Sequence, residues 1–359
     1  MCYTLLCFTL LLLVSSSFCA KQKCCPDKEC YELGDPWQTL TRLVPEPECE
    51  GNLTRFFLIE SSNKDNPVVF TARNASKIPG YLNVRKPTII FFHGWMSSAA
   101  APSIMNITTL YSSRVNANGI FVDYGEIAKN VNYPQVVSNL RVVATYVTKM
   151  VQNIIQAGVS PSQIHLIGHS LGAHLAAYVA KAIPGIGRLT GLDPAGPWFT
   201  DKNCEVRLCK GDAQFTEAIH TNGNPVTGLG TSDEDADVDF WVNGGWEQPG
   251  CGLEVVPRQL LDLHHDNTSD AILACSHSRS LLYYAEALAS SCKFWGVKAG
   301  LVNKLTSRLT LGYASKVVVN PDTCTLQNCV PIGLDTINAT GRGNFVVPTN
   351  SQPPFCESK

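Results

Sequence analysis

What this 359-residue chain has least of is charge. Asp, Glu, Lys and Arg make up only 16% of it and nearly cancel, to a formal −2. Phosphate backbones are bound by clustered cations, so this balance argues against nucleic acid as a partner. Internal repeats and low-complexity tracts are missing too. With 45% hydrophobic residues, the chain is globular rather than disordered. Beyond the N-terminus no stretch is long and apolar enough to span a bilayer. The first twenty residues carry no charge at all, not even a basic start. Within them, residues 5–14 form an apolar run too short to span, followed by small residues. That is the pattern of a secretory signal, and cleavage after Cys19 places Ser17 at −3. We assign 1–19 to the signal and 20–359 to a single domain.

Cysteine is not scarce. Of 15, three (Cys2, Cys7, Cys19) fall in the signal, leaving an even twelve. That number fits an oxidising compartment and a secreted, extracellular protein. Asn-x-Ser/Thr sequons at Asn52, Asn74, Asn106, Asn267 and Asn338 are compatible with it. Residues 21–50, rich in Cys, Pro and charge, form a stapled N-terminal segment.

The middle of the chain alternates strand and helix signals. Residues 88–92 (Thr-Ile-Ile-Phe-Phe) are a continuous apolar run, as in a strand buried on both faces. Residues 119–124 give a second. Val136, Leu140, Val143, Val147, Met150 and Ile154 then recur at helical spacing, with Pro134 near the start. A strand over 163–167, a turn, a helix carrying Leu175, Val179 and Ile183, and a strand over 188–192 follow. This order implies an α/β fold, a mostly parallel sheet wound with helices.

Gly168-His-Ser170-Leu-Gly172 occupies that turn. A serine projected from a strand-to-helix elbow needs glycine on both sides, where a Cβ would strike backbone. The pentapeptide alone carries little weight, since chance yields roughly 0.15 matches in such a chain. Its placement, with a strand before it and a helix directly after, is what makes Ser170 a candidate nucleophile. Serine needs a base and an orienting acid, in the chain order Ser, acid, His for this fold. Asp193 ends the next strand. His220, His264, His265 and His277 are the histidines that follow; His277 stands just before a helix-like stretch, and His220 competes with it as base.

Gly168-His-Ser-Leu-Gly-Ala-His174, Gly191-Leu-Asp-Pro-Ala-Gly-Pro197, Ala218-Ile-His-Thr-Asn222, Asn243-Gly-Gly245, Gln248-Pro-Gly-Cys-Gly252 and Cys275-Ser-His-Ser-Arg-Ser280 together resemble the pancreatic lipase family. That family includes lipoprotein lipases, insect neutral lipases and venom phospholipases A1. The likeness covers roughly residues 50–350, with the motifs in the family's order. It implies an α/β-hydrolase fold with Ser170 as nucleophile, Asp193 as acid and His277 as base, and makes His220 structural. By the same resemblance, His93-Gly94-Trp95 is the oxyanion loop, with the backbone N–H groups of Trp95 and Leu171 as donors.

The family's lid is a disulfide-closed loop just before the catalytic histidine. Here Cys251 and Cys275 bracket 23 residues, about the length of the full lids of triglyceride lipases. Leu260, Leu261 and Leu263 are its candidate lipid-facing residues. Cys204 with Cys209 and Cys324 with Cys329 are close enough in sequence for small loops, and the resemblance supports both. Cys292 and Cys356 then remain as a pair. Cys24, Cys25, Cys30 and Cys49 make two bridges whose order stays open. Some relatives bind calcium near the positions of Arg207 and Asp212, but Cys209 stands where they carry an acid, so no metal is expected. The adjacent His264, His265 and Asp266 make poor ligands on a loop. The acidic run 233–237 is expected to be a solvated loop.

The expectation is therefore a secreted serine ester hydrolase acting on lipid at a water–lipid interface, without cofactor and with only peripheral contact with the lipid surface. Triacylglycerol leads, from lid length. The sn-1 ester of phospholipids is the alternative, and a non-catalytic lipid-binding or yolk-type protein is the second. The chain ends soon after the catalytic region, so a C-terminal β-sandwich for colipase-type partners is not expected.

Overall fold

The computed structural model describes residues 21–59, 66–99, 101–251, 268–299, 319 and 321–357. The signal segment, the lid leucines Leu260, Leu261 and Leu263, and His264, His265 and Asp266 lie outside them.

Two short strands, β1 (Gln22–Cys24) and β2 (Cys30–Glu32), form an N-terminal hairpin. Its register sets Cys24 opposite Cys30, and those two are bonded; Cys25 is bonded to Cys49. The main sheet is built from β3 (Arg55–Ile59), β4 (Val68–Thr71), β5 (Thr88–Phe92), β6 (Asn118–Asp123), β7 (Ile164–His169), β8 (Arg188–Leu192), β9 (Phe215–His220), β10 (Val238–Val242), β11 (Trp295–Lys298), β12 (Val330–Pro331) and β13 (Gly343–Val347). Its order is β12-β11-β13-β10-β9-β8-β7-β5-β6-β3-β4. From β13 to β6 every neighbouring pair is parallel, and the outer strands at both ends run antiparallel.

Burial explains the sequence pattern. Every residue of β5, β6, β7, β8, β9 and β10 is buried, whereas β4 is largely exposed. Central strands are covered on both faces, so apolar residues need not alternate. Alternate side chains of β5 serve opposite layers. Ile90 and Phe92 join a core with helices α2 (Gly125–Ala128), α3 (Tyr133–Gln156) and α4 (Leu171–Ala182). Ile89 and Phe91 join a core with α1 (Pro102–Val115) and α5 (Thr268–Ala289). The apolar stripe expected on α3 is real, with Val136, Leu140, Val143, Val147, Met150 and Ile154 all fully buried. The expected strand boundaries are displaced by one or two residues at β6 and β7.

Two expectations change. His277 is not ahead of a helix but inside α5, nine residues after its start. The acidic run is not a solvated loop. Only Glu234 of the five is exposed, because Arg207, itself largely buried, pairs with both Asp233 and Asp235, and Asp237 accepts a hydrogen bond from the Thr216 backbone N–H at 3.0 Å.

Candidate active site

The carboxyl ends of parallel strands leave backbone groups unpaired and open a crevice, so chemistry collects there. Ser170 stands where β7 turns into α4, at the helix N-cap, with φ 57° and ψ −124°. An L-residue is strained in that quadrant, and such strain persists only where the surroundings over-determine it. The glycines are the reason the turn can close. A Cβ on Gly168 would meet the carbonyl oxygen of Gly172 at 2.2 Å, and one on Gly172 would meet those of Phe92 and His93 at 2.3 and 2.5 Å. Behind Ser170, the first N–H groups of α4 have no intrahelical acceptors and favour developing negative charge.

Asp193 follows β8, also at positive φ, and is fully buried. Its Oδ1 accepts hydrogen bonds from the backbone N–H groups of Thr221 (2.7 Å) and Asn222 (3.1 Å). Its Oδ2 lies 2.6 Å from Nδ1 of His277. The carboxylate is therefore held at one oxygen and presents the other to the imidazole, which fixes the ring's tautomer with the proton on Nδ1. Among the described residues, neither Nε2 of His277 nor Oγ of Ser170 has a hydrogen-bond partner. Both ends of a prospective proton transfer are open, as is common before substrate tightens such a site. The ring of His277 packs 4.7 Å from that of His169, and Nε2 of His169 lies 3.3 Å from the His277 carbonyl oxygen.

The structure gives the rival histidine different surroundings. His220 ends β9, fully buried and stacked on Trp241 at 4.1 Å. Its Nε2 lies 2.9 Å from Oδ1 of Asp239 and its Nδ1 3.3 Å from the Thr231 carbonyl oxygen. Both nitrogens are occupied.

The loop after β5 carries His93, Gly94 and Trp95. The absence of a side chain at Gly94 lets it lie against Ser170, since a Cβ there would meet Cβ of Ser170 at 2.8 Å and Oγ at 3.3 Å. Nδ1 of His93 donates to the Gly94 carbonyl oxygen at 2.8 Å, and its Nε2 accepts the Tyr124 backbone N–H at 3.1 Å. In a trans peptide C=O and N–H point oppositely, so turning the Gly94 carbonyl to the ring turns the Trp95 N–H away from it. The Tyr124 hydroxyl adds a 2.5 Å hydrogen bond to the His93 carbonyl oxygen, and the two rings stack at 4.1 Å. Sequence reasoning missed Tyr124, although it follows directly on an apolar strand, where loop-supporting residues fall.

Cys251 is bonded to Cys275, which lies in α5 two residues before His277. The bracketed segment is thus tied to the helix that carries the imidazole. Cys204–Cys209, Cys324–Cys329 and Cys292–Cys356 are bonded as well. The residues near Arg207 do not fit a calcium ion. Cys209 is spent in its disulfide, and the Lys181 ammonium donates to both the Arg207 carbonyl oxygen (2.7 Å) and Oδ2 of Asp212. A cation already occupies those oxygens.

Comparison with known proteins meets this geometry directly, since the lipase family profile matches residues 16–354. The chain belongs to the lipase family. It is 30% identical to phospholipase A1 of Vespa crabro over 84% of this chain and 93% of that one. It is 33% identical to pancreatic triacylglycerol lipase of Ictidomys tridecemlineatus over 79% of this chain and 63% of that one. The inactive pancreatic lipase-related protein 1 of Canis lupus familiaris is 33% identical over 78% of this chain and 62% of that one. The family thus contains members named for two ester classes and one named for lacking activity. The α/β-hydrolase fold accords with membership, and the division of labour among residues is a matter of this chain's own geometry.

Proposed function

We propose that this lipase-family chain hydrolyses carboxylic esters of lipids through an acyl-enzyme, with Ser170 as nucleophile, His277 as base and Asp193 as orienting acid. The observation that carries the reading is the 2.6 Å contact of a buried, doubly held Asp193 with Nδ1 of His277, on the sheet edge where Ser170 projects. In the reaction, Oγ of Ser170 attacks the ester carbonyl while Nε2 of His277 takes its proton. The tetrahedral oxyanion is met by the backbone N–H groups of Leu171 and Trp95. His277 returns the proton to the leaving alcohol. Water, deprotonated by the same imidazole, then releases the fatty acid.

Triacylglycerol is the leading substrate, from the 23 residues bracketed by the Cys251–Cys275 bond, with Leu260, Leu261 and Leu263 as lipid-facing lid residues. The phospholipid sn-1 ester is the second reading, favoured by the likeness to the Vespa crabro protein over nearly its whole length. We take residues 1–19 as a signal, 20–359 as one domain, and the protein as extracellular. Six disulfides support this, and no described helix is long and apolar enough to cross a membrane. Purified protein assayed in parallel on emulsified triolein and phosphatidylcholine vesicles separates the substrates. Turnover of neither, or equal turnover by Ser170→Ala, would overturn the reading.

A further inference from the structure

The most exposed apolar side chains of this protein gather on a few loops, although Val68 and Val69 on edge strand β4 are exposed as well. Among the described residues the four most exposed large ones are Leu40 (93%), Val226 (87%), Val131 (81%) and Leu43 (71%). Val131 follows β6, and Val226, with Leu229, follows β9. Trp95 and Met96, both also exposed, follow β5. All therefore belong to loops leaving the carboxyl ends of parallel strands, the edge that carries Ser170 and Asp193. Four strand spacings separate β9 from β6, roughly 20 Å.

Leu40 and Leu43 come from the N-terminal segment, yet contacts tie them to the same edge. Thr39 and Arg42 exchange backbone hydrogen bonds of 3.2 and 3.1 Å, leaving Leu40 and Thr41 at the tip of a tight turn. The buried Arg42 guanidinium anchors that turn by donating to the carbonyl oxygens of Trp37 and Trp198, the latter at 3.0 Å. Trp198 Nε1 donates to the Leu43 carbonyl oxygen at 3.1 Å. The Trp198 ring lies 5.6 Å from Tyr133, and Tyr133 lies 5.1 Å from Trp95, one residue from Gly94. On the other flank the Gly196 N–H donates to the Leu229 carbonyl oxygen at 2.8 Å. Contacts thus link the Leu43 turn through Trp198 and Tyr133 to Trp95, and tie the Leu229 loop to Gly196, two residues before Trp198.

A leucine held in water on a braced turn contributes nothing to the core, and contiguous exposed apolar patches mark contact surfaces. We infer that this rim, with Leu40 and Leu43 as its leading anchors, is the surface by which the protein seats itself on a lipid–water interface. The inference rests on the reading of the Ser170 site as a lipid ester hydrolase. Hydrocarbon is the partner chemistry, because residues 36–41 carry no charge and the cation of the turn is buried beneath it. Attachment therefore works by insertion rather than by attraction to anionic headgroups, and salt changes it little. Seating this edge on lipid lays the mouth of the site against its substrate.

The test uses Ser170→Ala protein, which binds without turnover, and phosphatidylcholine vesicles, with the bound fraction read by flotation at low and high salt. Moving one leucine from water into hydrocarbon is worth about tenfold or more in partitioning. Adding Leu40→Ser with Leu43→Ser should lower the partition constant at least tenfold at both salt concentrations, with the melting temperature unchanged. Leu40→Phe should keep binding at the parent level. Val68→Ser with Val69→Ser, on edge strand β4, should leave it unaltered. Failure of the parent protein to bind, parent-level binding by the leucine double variant, or an equal loss from the β4 variant would each overturn the inference. Binding that depends on Leu40 and Leu43, in a protein whose serine form hydrolyses neither lipid, would leave the surface standing and fell the catalytic reading.

Discussion

Two aspartate–histidine pairs occur in this fold, Asp193 after β8 with His277 on α5, and Asp239 on β10 with His220 at the end of β9, and their surroundings differ. Asp193 and His277 meet at 2.6 Å, Asp239 and His220 at 2.9 Å, and all four side chains are buried or nearly so. Pairing and burial therefore do not distinguish them. The other imidazole nitrogen does. On His220, Nδ1 faces a carbonyl oxygen and Nε2 a carboxylate, so neither nitrogen is open to a further partner. On His277, Nδ1 is engaged with Asp193 and Nε2 has no partner among the described residues. On the proposed reading, the open nitrogen of His277 is what suits it to act as the base.

The sharpest way to break the comparison is to delete each ring. His277→Ala and Ser170→Ala should each lower kcat on a soluble ester by about 10⁴-fold or more, with normal yield and melting. His220→Ala should leave a buried Asp239 without its cation and lower stability by about 3–5 kcal/mol, seen as poor yield and a depressed melting temperature. Molecules that survive should turn over near the parent rate. A stable but inactive His220 variant would reverse the assignment.

The acids give a smaller but cleaner contrast. Asp193→Asn preserves shape while presenting the wrong hydrogen to His277, so kcat should fall about 10⁴-fold with stability little altered. Asp239→Asn should do the opposite, with kcat within a few-fold and thermal stability reduced. Steady-state kinetics beside calorimetry on both variants decides it.

The smallest effect is in the pH dependence of stability. Burial pushes the His220 ring toward its neutral form, but the hydrogen bond and charge of Asp239 outweigh that and raise its pKa. Burial pushes the Asp235 carboxyl up to about 7 against the pull of Arg207. In both cases the folded state holds protons that the unfolded chain has released. Stability from His220 is complete below the ordinary imidazole range and fades as pH climbs through the raised value. That from Asp235 is lost between the ordinary carboxylate range and about pH 7. The melting temperature should therefore decline from pH 5 to 8, and Asp235→Asn should flatten that decline by a few degrees. An unchanged slope in the variant would remove Asp235 from the account.

How much of this was legible beforehand follows from where each signal lives. Strands β5 to β8 announced themselves because a strand covered on both faces is largely apolar, and the elbow because glycine is the only residue its crowding admits. The outer antiparallel strands left little trace. β4 has a single buried residue, Phe70, and β12 only two residues in all. The acidic run misled because its burial depends on Arg207, a cation about thirty residues away in sequence that only the folded chain brings near. The N-terminal bridges stayed open because four cysteines allow three connectivities, and the register of one hairpin decides among them.

The clasp made by Lys181 has a consequence beyond its loop. An ion taken from solution leaves again at a rate set by its affinity, and its occupancy follows its concentration outside. An ammonium borne on α4 is present once for every chain and cannot be diluted, competed away or chelated. The Arg207–Asp212 turn is thereby held by a group that the chain itself carries, and the Lys181 ammonium is beyond the reach of any chelator.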